Sequence, residues 1–143
     1  MYFNSDQIKL AFIGVLAVAL ALGIGRFSYT PILPYMREAL GLSSSEAGLI
    51  GSWNYIGYLA GSLSILVPFF SKQLKPSFIV ACLISITSTG LTATTENFHF
   101  ICLTRFINGF SGAVVLICGT SLIFSRLEKF VTPDLRLVHF SGF

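Results

Sequence analysis

Four long apolar runs joined by short polar links decide the solvent in which this chain can fold. They cover about 8–36, 45–70, 77–94 and 98–124, and each is long enough for a helix crossing bilayer hydrocarbon, which takes roughly 20 residues. Of the 143 residues, 54% are hydrophobic and 10% are charged, against about 25% charged in soluble domains. So few charges cannot cover a soluble domain of this size. The expected fold is therefore all-α and polytopic. Residues 1–124 form a four-helix transmembrane region, and residues 125–143 form a cytoplasmic tail in which charge returns.

Local signals place the helix ends. As one straight helix the first run would be about 43 Å long, more than a perpendicular span, so it should tilt or bend near Gly23, Gly25 or Pro31. Ser43-Ser44-Ser45-Glu46 suits the start of the second helix, and Pro68 should weaken its last turn. Pro76 fits the first turn of the third. The short Thr95-Glu96-Asn97 link makes helices three and four antiparallel neighbours. With the N-terminus inside, Lys9, Lys72, Lys75, Arg126, Lys129 and Arg136 fall on the cytoplasmic side and only Arg37 outside, so both termini are expected in the cytoplasm. Cys82, Cys102 and Cys118 lie within apolar runs, odd in number and without zinc spacing, as buried thiols would. The first run has neither the basic start nor the cleavage site of a signal peptide.

Polar residues interrupt these runs at a similar depth. Arg26, within Gly23-Ile-Gly-Arg-Phe-Ser-Tyr-Thr-Pro-Ile-Leu-Pro34, stands about 15 Å from the outer end of the first helix by helical rise. Asn54 on the second helix and Arg105 and Asn108 on the fourth lie about 10–15 Å in. Thr87, Ser88, Thr89, Thr92 and Thr94 bring hydroxyls to the same side. A cation at membrane depth costs about 2.5–3.5 kcal/mol on insertion scales and usually faces protein or water. Helical spacing puts Arg26, Tyr29 and Leu33 on one stripe, Asn54 and Tyr58 on another, and Arg105, Asn108 and Gly109 on a third. The layer reads in two ways, as a ligand or gating site around a central cavity or as polar groups satisfying one another between helices. Glu38, Glu46 and Glu96 sit near the outer boundary and would reach the arginines only in favourable geometry.

Gly57 and Gly61 form a GxxxG spacing. Gly109 and Ala113 form a small-xxx-small spacing, with Gly112 beside them. Such surfaces let helix backbones approach, here within one chain rather than between two. Trp53 reads as a packing or cavity aromatic, and Tyr35 as a residue of the outer aromatic belt. No phosphate loop, paired-histidine metal motif or nucleophile elbow occurs, and no basic run suits nucleic acid. The expectation is a non-enzyme with no cofactor, metal site or nucleic-acid partner, held in the lipid bilayer.

The residues Gly23 to Pro34, Leu42 to Gly48 and Asn54-Tyr-Ile-Gly-Tyr-Leu-Ala-Gly61 resemble the opening of a major facilitator superfamily transporter, most closely its YbfB-type branch. Arg105-Phe-Ile-Asn-Gly109-Phe-Ser-Gly112-Ala113 is similar to the superfamily's helix-four motif, which is associated with coupling and conformational change. The resemblance implies about twelve helices in two halves, with substrate at the interface between repeats. The chain departs from it in two places. Ser71-Lys-Gln-Leu-Lys-Pro76 keeps two lysines of the loop between helices two and three but not its glycine and aspartate. The chain also has four spans, and Leu137 to Gly142 resembles the entry to a fifth helix that is cut short.

The resemblance thus implies the N-terminal part of an inner-membrane secondary transporter that moves a small organic solute by alternating access. Such a part would not transport alone, and the missing C-terminal helices would be its partner. Arg26 and Arg105 in one layer favour an anionic group on the solute. Two rivals stay open: a complete four-helix dimeric exporter, and a non-transporting membrane interaction protein.

Overall fold

The computed structural model describes residues 29–68 and 72–131, with side chains as far as residue 125, and scattered positions between 8 and 23. The described residues form α1 (Tyr29–Leu40), α2 (Ser44–Ser64), α3 (Leu74–Ala93) and α4 (Phe98–Val131), with no strand among them. The expected bend of the first run falls largely outside the described residues, as does the entry to a fifth helix at 137–142.

The turn from α1 to α2 is built by local chemistry. Gly41 takes φ +63°, and the Leu42 N–H donates to the Arg37 carbonyl at 3.0 Å. That bond spans the glycine and closes the last turn of α1, as in a Schellman ending. Ser43 then caps α2. Its hydroxyl accepts from the Glu46 N–H, and the Glu46 carboxylate accepts from the Ser43 N–H at 2.9 Å. Two otherwise orphaned donors are thereby satisfied. Three residues suffice to link the two helices.

α2 stops at Ser64, six residues short of the expected 70. The Leu66 and Val67 N–H groups fold back onto the Leu63 and Ser64 carbonyls, each at 3.0 Å. Pro68 follows, with no N–H to carry a helix on. Conversely, α4 runs seven residues beyond the expected 124, to Val131, into the charged segment read as tail.

α4 stands between α2 and α3 and packs along both. Toward α2, Ile50, Ile101 and Cys102 are buried beneath Tyr29, Met36, Leu40, Leu42 and Phe98. Toward α3, Ala81, Val114, Val115 and Cys118 form a second cluster. The α2–α4 crossing brings backbone against backbone. A Cβ on Gly57 would overlap the Phe106 carbonyl, one on Gly61 the Phe110 carbonyl, and one on Gly109 the Asn54 carbonyl. Ala113 is fully buried beside Gly61. The GxxxG spacing of α2 therefore faces α4 within the chain. Gly112 differs: it is buried, yet a Cβ there would meet nothing within 4 Å among the described residues. Its neighbour in sequence, Ala113, carries the contact. Gly119, which the sequence did not single out, lies under Phe78 of α3 and Val18.

The polarity of α3, and in part that of α2, is inverted relative to a water-soluble bundle. On α3 the buried stripe is Ser77, Ala81, Ser85 and Ser88, while Ile79, Val80, Leu83 and Ile86 are exposed. On α2 the buried stripe is Ala47, Ile50, Asn54, Gly57 and Gly61, while Leu49, Ile56, Leu59 and Leu63 are exposed. Small and polar residues inside with branched aliphatics outside is the arrangement lipid selects, because lipid does not drive aliphatic side chains inward. By length and composition, Leu74–Ala93 and Phe98–Ser125 are apolar enough to cross a membrane. α2 contributes serines, glycines and an asparagine, and α1 is 12 residues long. Two spans, not the expected four, therefore stand on this criterion.

The glycine positions give opposite expectations. Gly57→Ala should lower the thermal unfolding midpoint in detergent, because its methyl forces α2 off α4 at a cost of about 1–3 kcal/mol. Gly90→Ala, at an exposed position with open space, should leave it unchanged or raise it, since alanine favours a helix interior by about 0.5–1 kcal/mol. Thermal unfolding followed by circular dichroism reads both.

Candidate functional site

Arg105 leaves α4 from the buried strip between α2 and α3 and is 4% exposed. Its guanidinium carbon lies 3.9 Å from the centre of the Tyr29 ring, close enough for a cation–π contact. The Tyr29 hydroxyl donates to the Ala47 carbonyl at 3.2 Å, so the ring is tied to the first turns of α2. One side chain from the start of α1 is thus held by α2 while it covers the cation of α4.

Arg105 and Tyr29 face a cleft of about 450 Å³ between α1 and α3. Ile32, Met36 and Ala39 form its α1 wall, Thr89 and Thr92 the opposite wall, and Glu96 stands in the link beyond α3. The wall follows Tyr29, Ile32, Met36 and Ala39, not the expected stripe through Leu33. The cleft therefore offers a buried cation, an apolar side, a hydroxyl-bearing side and one exposed carboxylate.

The other expected residues are placed differently. The Asn54 side-chain amide donates to the Arg105 carbonyl at 3.0 Å, buried between α2 and α4. The Asn108 amide donates into α3, at 2.7 Å from the Thr89 hydroxyl and 3.3 Å from both the Ser85 carbonyl and the Ser88 hydroxyl. Thr92 and Thr104 place their hydroxyls 2.9 Å apart. Both asparagines thus join helices, and neither lines the cleft. Tyr58 is half-buried, with its backbone N–H at the Gly109 crossing. Arg26 lies outside the described residues. Trp53 packs edge-on against Phe106 at a ring separation of 6.2 Å, and Tyr35 is exposed.

Sequence spacing put Arg105, Asn108 and Gly109 on one stripe. Within that stripe the structure sends Arg105 toward α1, Asn108 to α3 and Gly109 to α2. The apolar wall of Ile32, Met36 and Ala39 was not anticipated. Its helical spacing from Tyr29 was the available signal, but an apolar residue on a membrane helix is equally suited to lipid.

Residues 18–143 match the model of a family described as uncharacterised MFS-type transporter YbfB, and the chain belongs to that family. No curated protein and no solved structure matches it. Membership makes the protein a membrane transporter by family, in keeping with its inverted helices.

Two substitutions at Tyr29 separate its roles. Tyr29→Phe keeps the ring under Arg105 and loses the Ala47 bond, an expected loss of about 0.5–1.5 kcal/mol. Tyr29→Leu also removes the cation–π contact, at a further cost of about 0.5–2 kcal/mol. Thermal unfolding in detergent should rank wild type above Tyr29→Phe, and Tyr29→Phe above Tyr29→Leu.

Proposed function

We propose that this chain supplies the opening helices of an alternating-access carrier for a small organic solute, and that the α1–α3 cleft is part of the solute's path. The observation that carries this is Arg105, a buried cation on an apolar helix that lines a cleft. A solute bearing an anionic group would meet it there. Tyr29 orients the guanidinium, and the Thr89 and Thr92 hydroxyls, whose protons go to the Ser85 and Ser88 carbonyls, make the facing wall polar without donating to the solute. Arg26, from the segment just before α1, joins the same layer in this reading.

In the same proposal α1 and α2 complete four spans with α3 and α4, the protein lies in the inner membrane with both termini cytoplasmic, and further helices pair with these four. The preponderance of basic residues at 9, 72, 75, 126, 129 and 136 supports the orientation. The dimeric-exporter alternative is less well supported, because Gly57 and Gly61, the surface suited to pairing two copies, already lie against α4.

Access to the cleft tests the proposal. In cells carrying the full transporter, a membrane-impermeant maleimide should label Thr92→Cys on the cleft wall. It should leave Ile86→Cys, 69% exposed on the outer face of α3, at the background of the unsubstituted protein. If Glu96→Cys at the mouth is labelled while Thr92→Cys is not, no aqueous path reaches Arg105 and the proposal fails.

A further inference from the structure

A second concavity lies nearer the start of α3, and it shares no lining residue with the cleft. It is a groove of about 200 Å³ between α3 and α4, lined by Gln73, Ser77, Val80, Ile84, Phe110 and Val114 among others. Its walls are almost wholly apolar along the helices, and it begins at the first turn of α3. Three features gather at that end.

Gln73, the N-cap of α3, makes no side-chain capping bond. The Ser77 N–H closes onto the Gln73 carbonyl at 3.0 Å, and Pro76 has no N–H. The Leu74 and Lys75 N–H groups therefore receive no cap from Gln73, and they carry the positive end of the helix dipole. Lys72 and Lys75 are both exposed within a turn of this helix start. Ser77 is 8% exposed and lines the groove. Among the described residues its hydroxyl has no hydrogen-bond partner, although most serine and threonine hydroxyls of α2, α3 and α4 donate to a carbonyl of their own helix.

We infer that this groove binds one anionic phospholipid, with its phosphate at the start of α3 and one acyl chain along the groove. The order of chemistry along α3 matches the order of groups in such a lipid. Two ammonium groups and the helix N-terminus meet the phosphate, since helix N-termini favour anions. One turn deeper, about 5 Å, the Ser77 hydroxyl donates to an ester carbonyl. Deeper still, Val80, Ile84, Phe110 and Val114 face hydrocarbon. A zwitterionic phospholipid would bring its own ammonium group to the two lysines and lose that attraction. The inference needs only that α3 begins at a membrane surface, whichever side that is, and it does not depend on transport through the cleft.

Native mass spectrometry of the full protein, released from detergent with phosphatidylglycerol or phosphatidylcholine of the same acyl chains, tests it. Phosphatidylglycerol should be retained as one tightly held copy, in clear excess over phosphatidylcholine. The double substitution Lys72→Gln, Lys75→Gln should cut that retention about tenfold or more, since each juxtamembrane basic residue contributes appreciably to anionic-lipid binding. Lys72→Arg, Lys75→Arg should preserve it. Val80→Trp, which fills the groove from its exposed rim, should weaken phosphatidylglycerol binding while the unfolding midpoint holds. Equal retention of the two lipids, or an unchanged preference in the glutamine variant, would overturn the inference. So would glycerol phosphate competing as well as the whole lipid, because the groove would then contribute nothing.

Discussion

The backbone contact between α2 and α4 is the constraint on which the rest of the structure depends. Gly57, Gly61 and Gly109 remove the layer of Cβ atoms that would hold the two helices apart. In lipid, aliphatic side chains gain little by leaving the solvent, so close backbone packing and interhelical hydrogen bonds must hold helices together. The approach lets the Asn54 amide reach the Arg105 carbonyl, which sets α2 and α4 in one register. That register in turn decides which way the Arg105 side chain leaves α4. Without the glycines, the arginine would have no defined place relative to Tyr29.

α4 carries polar residues among the apolar ones on its buried sides for two distinct reasons. Asn108, Thr104 and Ser111 satisfy groups on α3 or on α4 itself, as polar atoms removed from water must be satisfied. Arg105 differs in lining an open cleft and carrying a full charge. A seam of asparagine and hydroxyl groups thus ties α3 to α4, and α4 presents the cation toward α1. Structural and candidate functional polar groups sit within a few residues of one another, since in a membrane helix both need shelter from lipid. The contact between α1 and α2 is slight by comparison, with the Tyr29 hydroxyl bond as one of its links.

Signals that act over one turn of helix were legible before any fold was known. The Ser43–Glu46 cap is an example, because donor, acceptor and spacing all lie within four residues. The pairing of α3 with α4 was also legible, since the Thr95-Glu96-Asn97 link allows no other neighbour. The destinations of long-range side chains were not. Arg105, Asn108 and Gly109 share a stripe, yet they serve three different helices. A stripe on a helix enclosed on two sides is wide enough for small rotations to change partner. Gly109 and Gly112 look alike in sequence, and only the crossing point of α2 shows that the first is a contact and the second is not. The length of α2 was overestimated because apolar residues continue to Phe70, whereas hydrogen bonding ends the helix before Pro68.

By itself, the sequence determined the solvent, the helical class and the family. These follow from the density of charge, the length of apolar runs and short motifs, all of which are properties of the chain before it folds. Only the tertiary structure decided that the two asparagines are helix-to-helix ties, that the glycine pair of α2 faces inward, and that Arg105 and Tyr29 share a cleft. Those outcomes depend on the angle and register at which helices cross. Crossing geometry is set where two surfaces fill each other's space, and no single helix carries that information.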